Sequence, residues 1–485
     1  MVEGIEPFGL ILLAAAIVVS VALLSNRISA RLRVPAPAIF LLAAAVASAA
    51  VPALGRVSII TVQQIVTVAL ILILFDGGMG IGAARVREAW APVLGVGVLG
   101  TVLTAAAMAG LAHLLFGLPW QLALLLGTAL APTDPAVVFS VLGNREVGGR
   151  AGVIIEGESG ANDPVGIALL ISFLAVGADL GPGAIGDVLA TFGLQMLIGA
   201  AVGTAGGWLL LRVMRRPLPS EALYPLRTLA IAVALYGVAT VAHGSGFLAV
   251  FMAGIMIGDV SAPFKRDIER FHSSLAGLAE IVAFVVLGLT VSLPEVVTTD
   301  AWWAGLVLAV LLAFVVRPLL VGPLLLVVRL TMGERLFVVW AGLKGAVPIL
   351  LGTYILGAGG EVSRWAYEVI FVVVAFSVIV QGGLVPTVAR RCRVPMQEVP
   401  PRPWSVGLRL RTEPEGARHY RVGVGSRADG RTVGELHRAE DVWISLIVRD
   451  DRPLRVRADT VLQAGDEVLL LAEPPTEPGS AFEPR

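Results

Sequence analysis

Runs of about 20 apolar residues, the length needed to cross a bilayer, recur along this chain from Phe8 to Ala389. In lipid a backbone N–H or C=O finds no water, so a crossing segment has to satisfy its own hydrogen bonds. Only helices and closed barrels do that, and continuous runs of this length fit helices. Of 485 residues, 56% are hydrophobic and only 15% are charged, against about 25% charged in a soluble domain. The chain is therefore predicted to be an all-α polytopic membrane protein.

About 13 spans are predicted, near 8–25, 35–55, 60–81, 90–116, 119–142, 151–177, 184–211, 222–242, 246–260, 274–293, 301–328, 334–358 and 365–389. The loop charges test that number. The odd-numbered loops and the segment after span 13 carry 19 Lys and Arg residues, whereas the even-numbered loops carry only Arg56 and Arg364. Basic residues collect on the cytoplasmic side, so the N-terminus is expected outside and the tail inside. The chain opens on a span without a basic leader region, and no cleaved signal peptide is expected. Its zero net charge gives no electrostatic case for a nucleic-acid partner. The single cysteine, Cys392, excludes an internal disulfide and reads as an incidental thiol beside Arg390, Arg391 and Arg393. Trp302 and Trp303 read as interface anchors.

After Val394 the composition changes. Pro395, Pro400, Pro401 and Pro403 stiffen a linker, and 13 Lys/Arg with 15 Asp/Glu follow from there to the end. Strands are predicted at Tyr420–Gly423, Val442–Arg449, Leu454–Val456 and Val468–Ala472, with a short helix at Thr432–His437. The predicted organisation is a membrane domain over 1–393, a Pro-rich linker over 394–404, a small α+β cytoplasmic domain over 405–474 and a disordered tail over 475–485.

The most unusual span contains Glu158-Ser159-Gly160-Ala161-Asn162-Asp163-Pro164. A charge at mid-bilayer costs about 3 kcal/mol or more, so such groups are retained mainly to move or hold ions. On a helix Glu158 and Asn162 share one face, and Ser159 and Asp163 share the next. Pro164 removes one backbone hydrogen bond at this level and frees a carbonyl. The result is an oxygen-rich pocket suited to a hard monovalent cation. Arg317 and Lys344 are the two basic residues within spans, and the buried acids are Asp76, Asp134, Glu158 and Asp163, with Glu280 added. Pairing Glu158 with Arg317 leaves Asp163 free, so that proton and cation compete for one carboxylate. That competition is the simplest physical basis for exchange. No role is assigned to Asp76 or Glu280.

Two spans look broken. Span 5 contains Ala131-Pro132-Thr133-Asp134-Pro135, and span 12 contains Lys344-Gly345-Ala346-Val347-Pro348. They lie seven spans apart, which fits two six-span inverted repeats joined by span 7. Where half-helices meet, dipole ends of both signs face one another. Asp134 and Lys344 have the signs to neutralise them and are given an electrostatic role. A structural reading, in which Asn162 and Asp163 only bridge helices, is the alternative for the pocket.

Two rival functions are weaker. Gly157-Glu158-Ser159-Gly160 resembles the serine motif of an intramembrane protease. That chemistry needs a histidine base at the same depth, and His113 and His243 lie near outer loops. A ligand-gated cation channel is the other rival, but the chain lacks a carbonyl-filter loop.

Thr133-Asp134-Pro135, Glu158-Ser159-x-x-Asn162-Asp163-Pro164, Arg317 and Gly342–Pro348 resemble the cation/proton antiporter-1 family. That family includes the bacterial sodium/proton antiporters of the NhaP group and the eukaryotic exchangers, and the resemblance covers nearly all of 1–393. It implies a secondary antiporter, not an enzyme, with Asp163 as the shared proton and cation site. It also implies that Thr133 and Ser159 help ligate the ion, that Glu158 pairs with Arg317, and that the protein is a homodimer. Asn162 resembles the electroneutral branch. Lys344 departs from relatives that carry arginine in this stretch. Gly430–Leu436, Val442–Arg449 and Asp459–Leu470 resemble the TrkA-C (RCK_C) regulatory domain. This implies a small cytoplasmic ligand on 405–474, with a regulatory nucleotide one candidate. Antiporters fused to such a domain resemble bacterial potassium/proton antiporters, so K⁺ is expected ahead of Na⁺, in a bacterial inner membrane. No cofactor is expected beyond the transported ions.

Overall fold

In the computed structural model, residues 35–51, 54–142, 145–177, 183–260, 262–357, 359–398, 417–440, 443–449, 452–471 and 482 are described. The predicted first span, 8–25, lies outside them, as do most of the linker and of the tail 475–485. The chain forms two compact units, Met1–Pro403 and Trp404–Arg485.

The first unit is a helical bundle. Its principal helices are α1 (Ala36–Ala50), α2 (Ile59–Ile81), α3 (Trp90–Phe116), α4 (Trp120–Leu130), α5 (Pro135–Leu142), α6 (Gly149–Val176), α7 (Ala184–Met214), α8 (Leu223–Val241), α9 (Gly246–Gly258), α10 (Lys265–Leu289), α11 (Ala301–Val327), α12 (Met332–Trp340), α13 (Ala346–Gly357) and α14 (Glu361–Arg391). Among the described residues nine helical segments are long and apolar enough to cross a membrane, with α4 and α5 counted as one, and three apolar helices are shorter. The helical membrane class is borne out, but these helices do not establish a total of 13.

Burial separates centre from periphery. The most hydrophobic stretches of α6 and of the α4–α5 segment are each 67% buried within the protein, against 22% for α7. Lipid is as apolar as leucine, so helices associate here through close packing and small residues rather than through water exclusion. Gly78 on α2 and Gly254 on α9 illustrate this. A Cβ on Gly78 would lie 2.5 Å from the Phe251 carbonyl oxygen, and one on Gly254 would lie 2.5 Å from that of Phe75. The two backbones touch, and neither position accepts a side chain.

Among the described residues three helices contain π-helical segments, at Gly95–Gly100 in α3, Leu312–Val316 in α11 and Ser377–Gly382 in α14. Such wide turns recur at functional sites because they re-aim side chains. At the end of the bundle β1 (Arg145–Val147) pairs antiparallel with β2 (Met396–Glu398), which places a strand inside the stretch expected to be linker. Backbone pairing gives this segment the hydrogen bonds that a free linker would leave to water. Val394 beside it is buried.

The second unit has β3 (Ala417–Arg421), α15 (Val433–Glu440), β4 (Trp443–Arg449), β5 (Arg452–Leu454) and β6 (Glu467–Leu471). Its antiparallel sheet has the order β3-β6-β4-β5. Val422, Leu436, Ile444, Ile447, Leu462, Val468, Leu470 and Phe482 form its core. The elements match the expected α+β pattern to within a few residues.

Candidate functional site

Proline ends the first crossing helix. Pro135 has no N–H and its ring disfavours a helical residue before it. Residues 131–134 are consequently non-helical between α4 and α5. Residues 341–345 break the second crossing between α12 and α13. A capping box at Thr331 and Glu334 anchors the far end of α12. The two gaps touch, because Asp134 N donates to Leu343 O at 2.8 Å. A Cβ on Gly345 would collide with the Asp134 carboxylate, and one on Gly342 with the Arg317 guanidinium. Glycine is therefore what lets the second gap lie against these charges.

Interrupting a helix exposes carbonyls at one end and N–H groups at the next start. Each set meets a charge of the matching sign. Lys344 Nζ donates to Ala131 O at 2.8 Å and Pro132 O at 2.9 Å, at the carbonyl end of α4. Arg317 Nε donates to Val339 O at 3.1 Å, at the carbonyl end of α12. The Asp134 carboxylate accepts from Ala136 N–H at 2.9 Å, at the start of α5, and lies against Gly345, just before α13. Lys344 thus satisfies carbonyls, a task that an ammonium performs without the planar fork of arginine.

Helix α6 lies across this junction. Glu158 Oε1 is 2.9 Å from Arg317 Nη1, and both residues are almost wholly buried. Ser159 Oγ donates to Thr133 O at 2.5 Å, and Asn162 Nδ2 donates to Thr133 Oγ1 at 2.6 Å. The structure therefore brings Thr133, Asp134, Glu158, Ser159, Asn162, Asp163, Arg317 and Lys344 to one junction. Two acceptors there have no hydrogen-bond partner, Asn162 Oδ1 and Asp163 Oδ1, and both are buried. An orphaned buried acceptor costs about 1–3 kcal/mol, so this pair of oxygens is where a cation or a proton gains most.

Glu158 opposes Arg317, and Lys344 has Glu158 and Asp163 among its charged neighbours. Asn162 is neutral, and Asp163 is a carboxylate that a monovalent cation or a proton can neutralise. Asp76 on α2 and Glu280 on α10 are half-buried.

Sequence reasoning missed two buried polar residues on α14, Ser377 and Gln381. Ser377 Oγ accepts from Lys344 N at 3.0 Å, and Gln381 Nε2 donates to Trp340 O at 2.7 Å. Their signal was present as a polar pair four residues apart inside an apolar run. It carried no charge and so attracted no assignment.

Comparison with known proteins identifies the family of this fold. A family profile described as "Sodium/hydrogen exchanger, transmembrane" matches residues 16–391, and a TrkA-C domain profile matches 418–476. The K(+)/H(+) antiporter NhaP of Alkalimonas amylolytica is 35% identical over 402 residues, covering 81% of this chain and 69% of that protein. The K(+)/H(+) antiporter NhaP2 of Shewanella sp. (strain ANA-3) is 30% identical over 480 residues, covering 97% and 82%. The Na(+)/H(+) antiporter NhaH of Halobacillus dabanensis is 28% identical over 307 residues, covering 60% and 73%. The fold is similar to that of the sodium proton antiporter MjNhaP1 from Methanocaldococcus jannaschii at pH 8, with a TM-score of 0.66 and 21% identity over 78% of this chain and 97% of that one. With most of its length inside the exchanger profile and a C-terminal TrkA-C domain, the chain belongs to the sodium/hydrogen exchanger family and is a multi-pass cation/proton antiporter, a secondary transporter rather than an enzyme.

Proposed function

We propose that this protein exchanges one K⁺ for one H⁺, with Na⁺ a poorer substrate, and that both ions compete for Asp163. The observation that carries the reading is the Asp163 Oδ1 atom, buried and without a hydrogen-bond partner where the two gaps meet. Thr133, Ser159 and Asn162, hydrogen-bonded to one another at the same junction, offer neutral oxygens, which supports a hard monovalent cation as substrate. The neutral Asn162 beside Asp163 supports electroneutral exchange. The preference for K⁺ rests on the relatives that carry that ion in their names and span most of this chain.

In this reading the bundle of α4–α6 and α12–α14 rocks against the remaining helices, carrying Asp163 from one side to the other. Protonation and cation occupancy both neutralise it, so either loaded form can cross the low-dielectric barrier and the bare carboxylate cannot. The protein works as a homodimer in a bacterial inner membrane, with the N-terminus outside and the TrkA-C domain in the cytoplasm, where a small ligand regulates exchange.

The test is collapse of a pH gradient in proteoliposomes on addition of K⁺, Na⁺, Li⁺ or Rb⁺. Rapid collapse with K⁺, insensitive to membrane voltage, is expected. A rate that follows the imposed voltage would overturn the one-to-one stoichiometry, and a Na⁺ response that exceeds K⁺ would overturn the substrate.

A further inference from the structure

The second gap is held by a device that the exchange reaction has so far not required. Ser377 and Gln381 sit four residues apart in the π-helical segment Ser377–Gly382 of α14, and both are at least 96% buried. They form one directional chain. Lys344 N–H donates to Ser377 Oγ at 3.0 Å, and Ser377 Oγ donates to Gln381 Oε1 at 3.2 Å. Gln381 Nε2 then donates to Trp340 O at 2.7 Å, and Trp340 Nε1 donates back to Gln381 O at 3.2 Å. Trp340 O is the last carbonyl of α12, and Lys344 N lies two residues before α13. The pair therefore clamps the gap at both ends. A water-sized cavity of about 10 Å³ opens beside it, lined by Arg317, Gly342, Lys344, Ser377 and Gln381 among others.

A serine also holds the first gap, but by donating to a gap carbonyl rather than accepting from a gap N–H. Ser159 on α6 bonds Thr133 O, and Asp163 follows four residues later. In the predicted repeat, span 13 corresponds to span 6, so Ser377 and Gln381 stand where Ser159 and Asp163 stand. The difference is one of charge. Asp163 is left open with an unsatisfied oxygen, whereas Gln381 is neutral and fully engaged. Lys344 already brings a positive charge to this junction, with Arg317, Glu158 and Asp163 as its charged neighbours.

We infer that Ser377 and Gln381 are positioning residues for cation binding, acting through the backbone of Lys344. They fix where the Lys344 ammonium lies, and so how strongly it opposes a cation at Asp163. The inference rests on Asp163 being the exchange site. A clamp that served only stability would move the melting temperature and the amount of folded protein. A clamp that positions Lys344 also moves the cation KM.

The experiment compares Gln381→Met, Ser377→Ala and Ser377→Thr with the unaltered full-length protein in proteoliposomes, with K⁺ titrated under a fixed pH gradient. Gln381→Met keeps the volume and removes the amide. Ser377→Thr keeps the hydroxyl. The expected result is a severalfold change in KM for K⁺ in Gln381→Met and Ser377→Ala, with Ser377→Thr close to the unaltered value. An unchanged KM in folded Gln381→Met and Ser377→Ala would overturn the inference, as would a Ser377→Thr protein that behaves like Ser377→Ala. Should Gln381→Met fail to fold, the Ser377 pair decides alone. If the unaltered protein shows no K⁺ or Na⁺ exchange, it is the exchange reading that fails, which a KM shift in an active protein separates cleanly.

Discussion

Arg317 Nη1 donates to Glu158 Oε1 across 2.9 Å, and the same guanidinium donates to the carbonyl of Val339 at the end of α12. The two residues are therefore unequal partners. Arg317→Ala strands a buried carboxylate and uncaps a half-helix. Glu158→Gln leaves a neutral acceptor in place. Breaking a buried pair by removing one partner costs about 3–5 kcal/mol. Arg317→Ala should lose most of that and give little folded protein, and Glu158→Gln should lose clearly less. Melting curves of the detergent-solubilised variants provide the measurement, and equal losses would refute the ranking.

The Asp163→Asn variant tests the exchange site. Its amide keeps the shape of the side chain and removes the negative charge that a cation or a proton would neutralise. The protein should fold and insert, yet show no cation-dependent collapse of a pH gradient. A second readout is independent of transport. A ligand present at 100 times its Kd stabilises the native state by about 2.7 kcal/mol. K⁺ should raise the melting temperature of the unaltered protein and leave Asp163→Asn unmoved. Full-rate exchange by the variant would remove Asp163 from the mechanism.

Much of this arrangement could be read from residue order, and the reason is energetic. Charged groups are so costly in a bilayer that Asp134, Glu158, Asp163, Arg317 and Lys344 stand out against an apolar background. The breaks were legible because Pro132, Pro135 and Gly345 leave few helical options. The partners of the charges were harder to foresee. Lys344 and Arg317 bond backbone carbonyls that carry no mark in the sequence, and Asp134 joins the start of α5 to the other gap through its own N–H on Leu343 O. Ser377 and Gln381 escaped notice because neutral polar residues are inexpensive enough to be common. The strand β2 was hidden by the prolines around it, since its pairing with β1 joins segments about 250 residues apart.

Gly345→Ala probes the contact between the gaps. A methyl group there collides with the Asp134 carboxylate, which the Ala136 N–H at the start of α5 holds in place. Overpacking of this kind costs about 1–3 kcal/mol. The expected outcome is a lower melting temperature and a strong loss of exchange. Gly77→Ala is the control, because nothing lies within 4 Å of a Cβ there. If the two variants exchange ions equally well, the close approach of the gaps has no functional weight.

The TrkA-C domain carries an acid-sensitive contact. Arg449 Nε and Nη2 donate to Asp466 Oδ1 and Oδ2, each at 2.7 Å, and Gln463 N donates to Oδ2 at 2.8 Å. Burial alone would raise the Asp466 carboxyl, but the Arg449 and Gln463 hydrogen bonds and the Arg449 charge hold it below its ordinary value of 3.8. A carboxylate lowered on folding contributes stability that is complete above its unfolded value and fades as the pH falls through the lower folded value. Hydrogen exchange of 443–449 and 461–471 in the full-length protein should therefore quicken only below about pH 4. In Arg449→Met those segments should already exchange faster at neutral pH and respond less to acid. Acid sensitivity that Arg449→Met leaves unaltered would assign the effect to another group.

The strand pair β1–β2 makes the site of a C-terminal truncation matter. Strand β2 pairs Met396 with Val147 and follows directly on Pro395, whose carbonyl accepts from Gly148 N at 2.9 Å. Gly149 begins α6, the helix that carries Asp163. Ending the chain at Glu398 keeps these bonds and removes the regulatory domain, so exchange should persist with its regulation altered. Ending it at Arg393 removes β2 and the buried Val394, and leaves Gly148 N to find another acceptor, at about 1–3 kcal/mol. That shorter protein should melt at a lower temperature and exchange ions more slowly than the longer one. Flux from both, in matched proteoliposomes, decides the matter. Equal rates and equal melting temperatures would show that the clasp is dispensable, and complete loss of flux in a folded protein ending at Glu398 would make the tail part of the transport machinery itself.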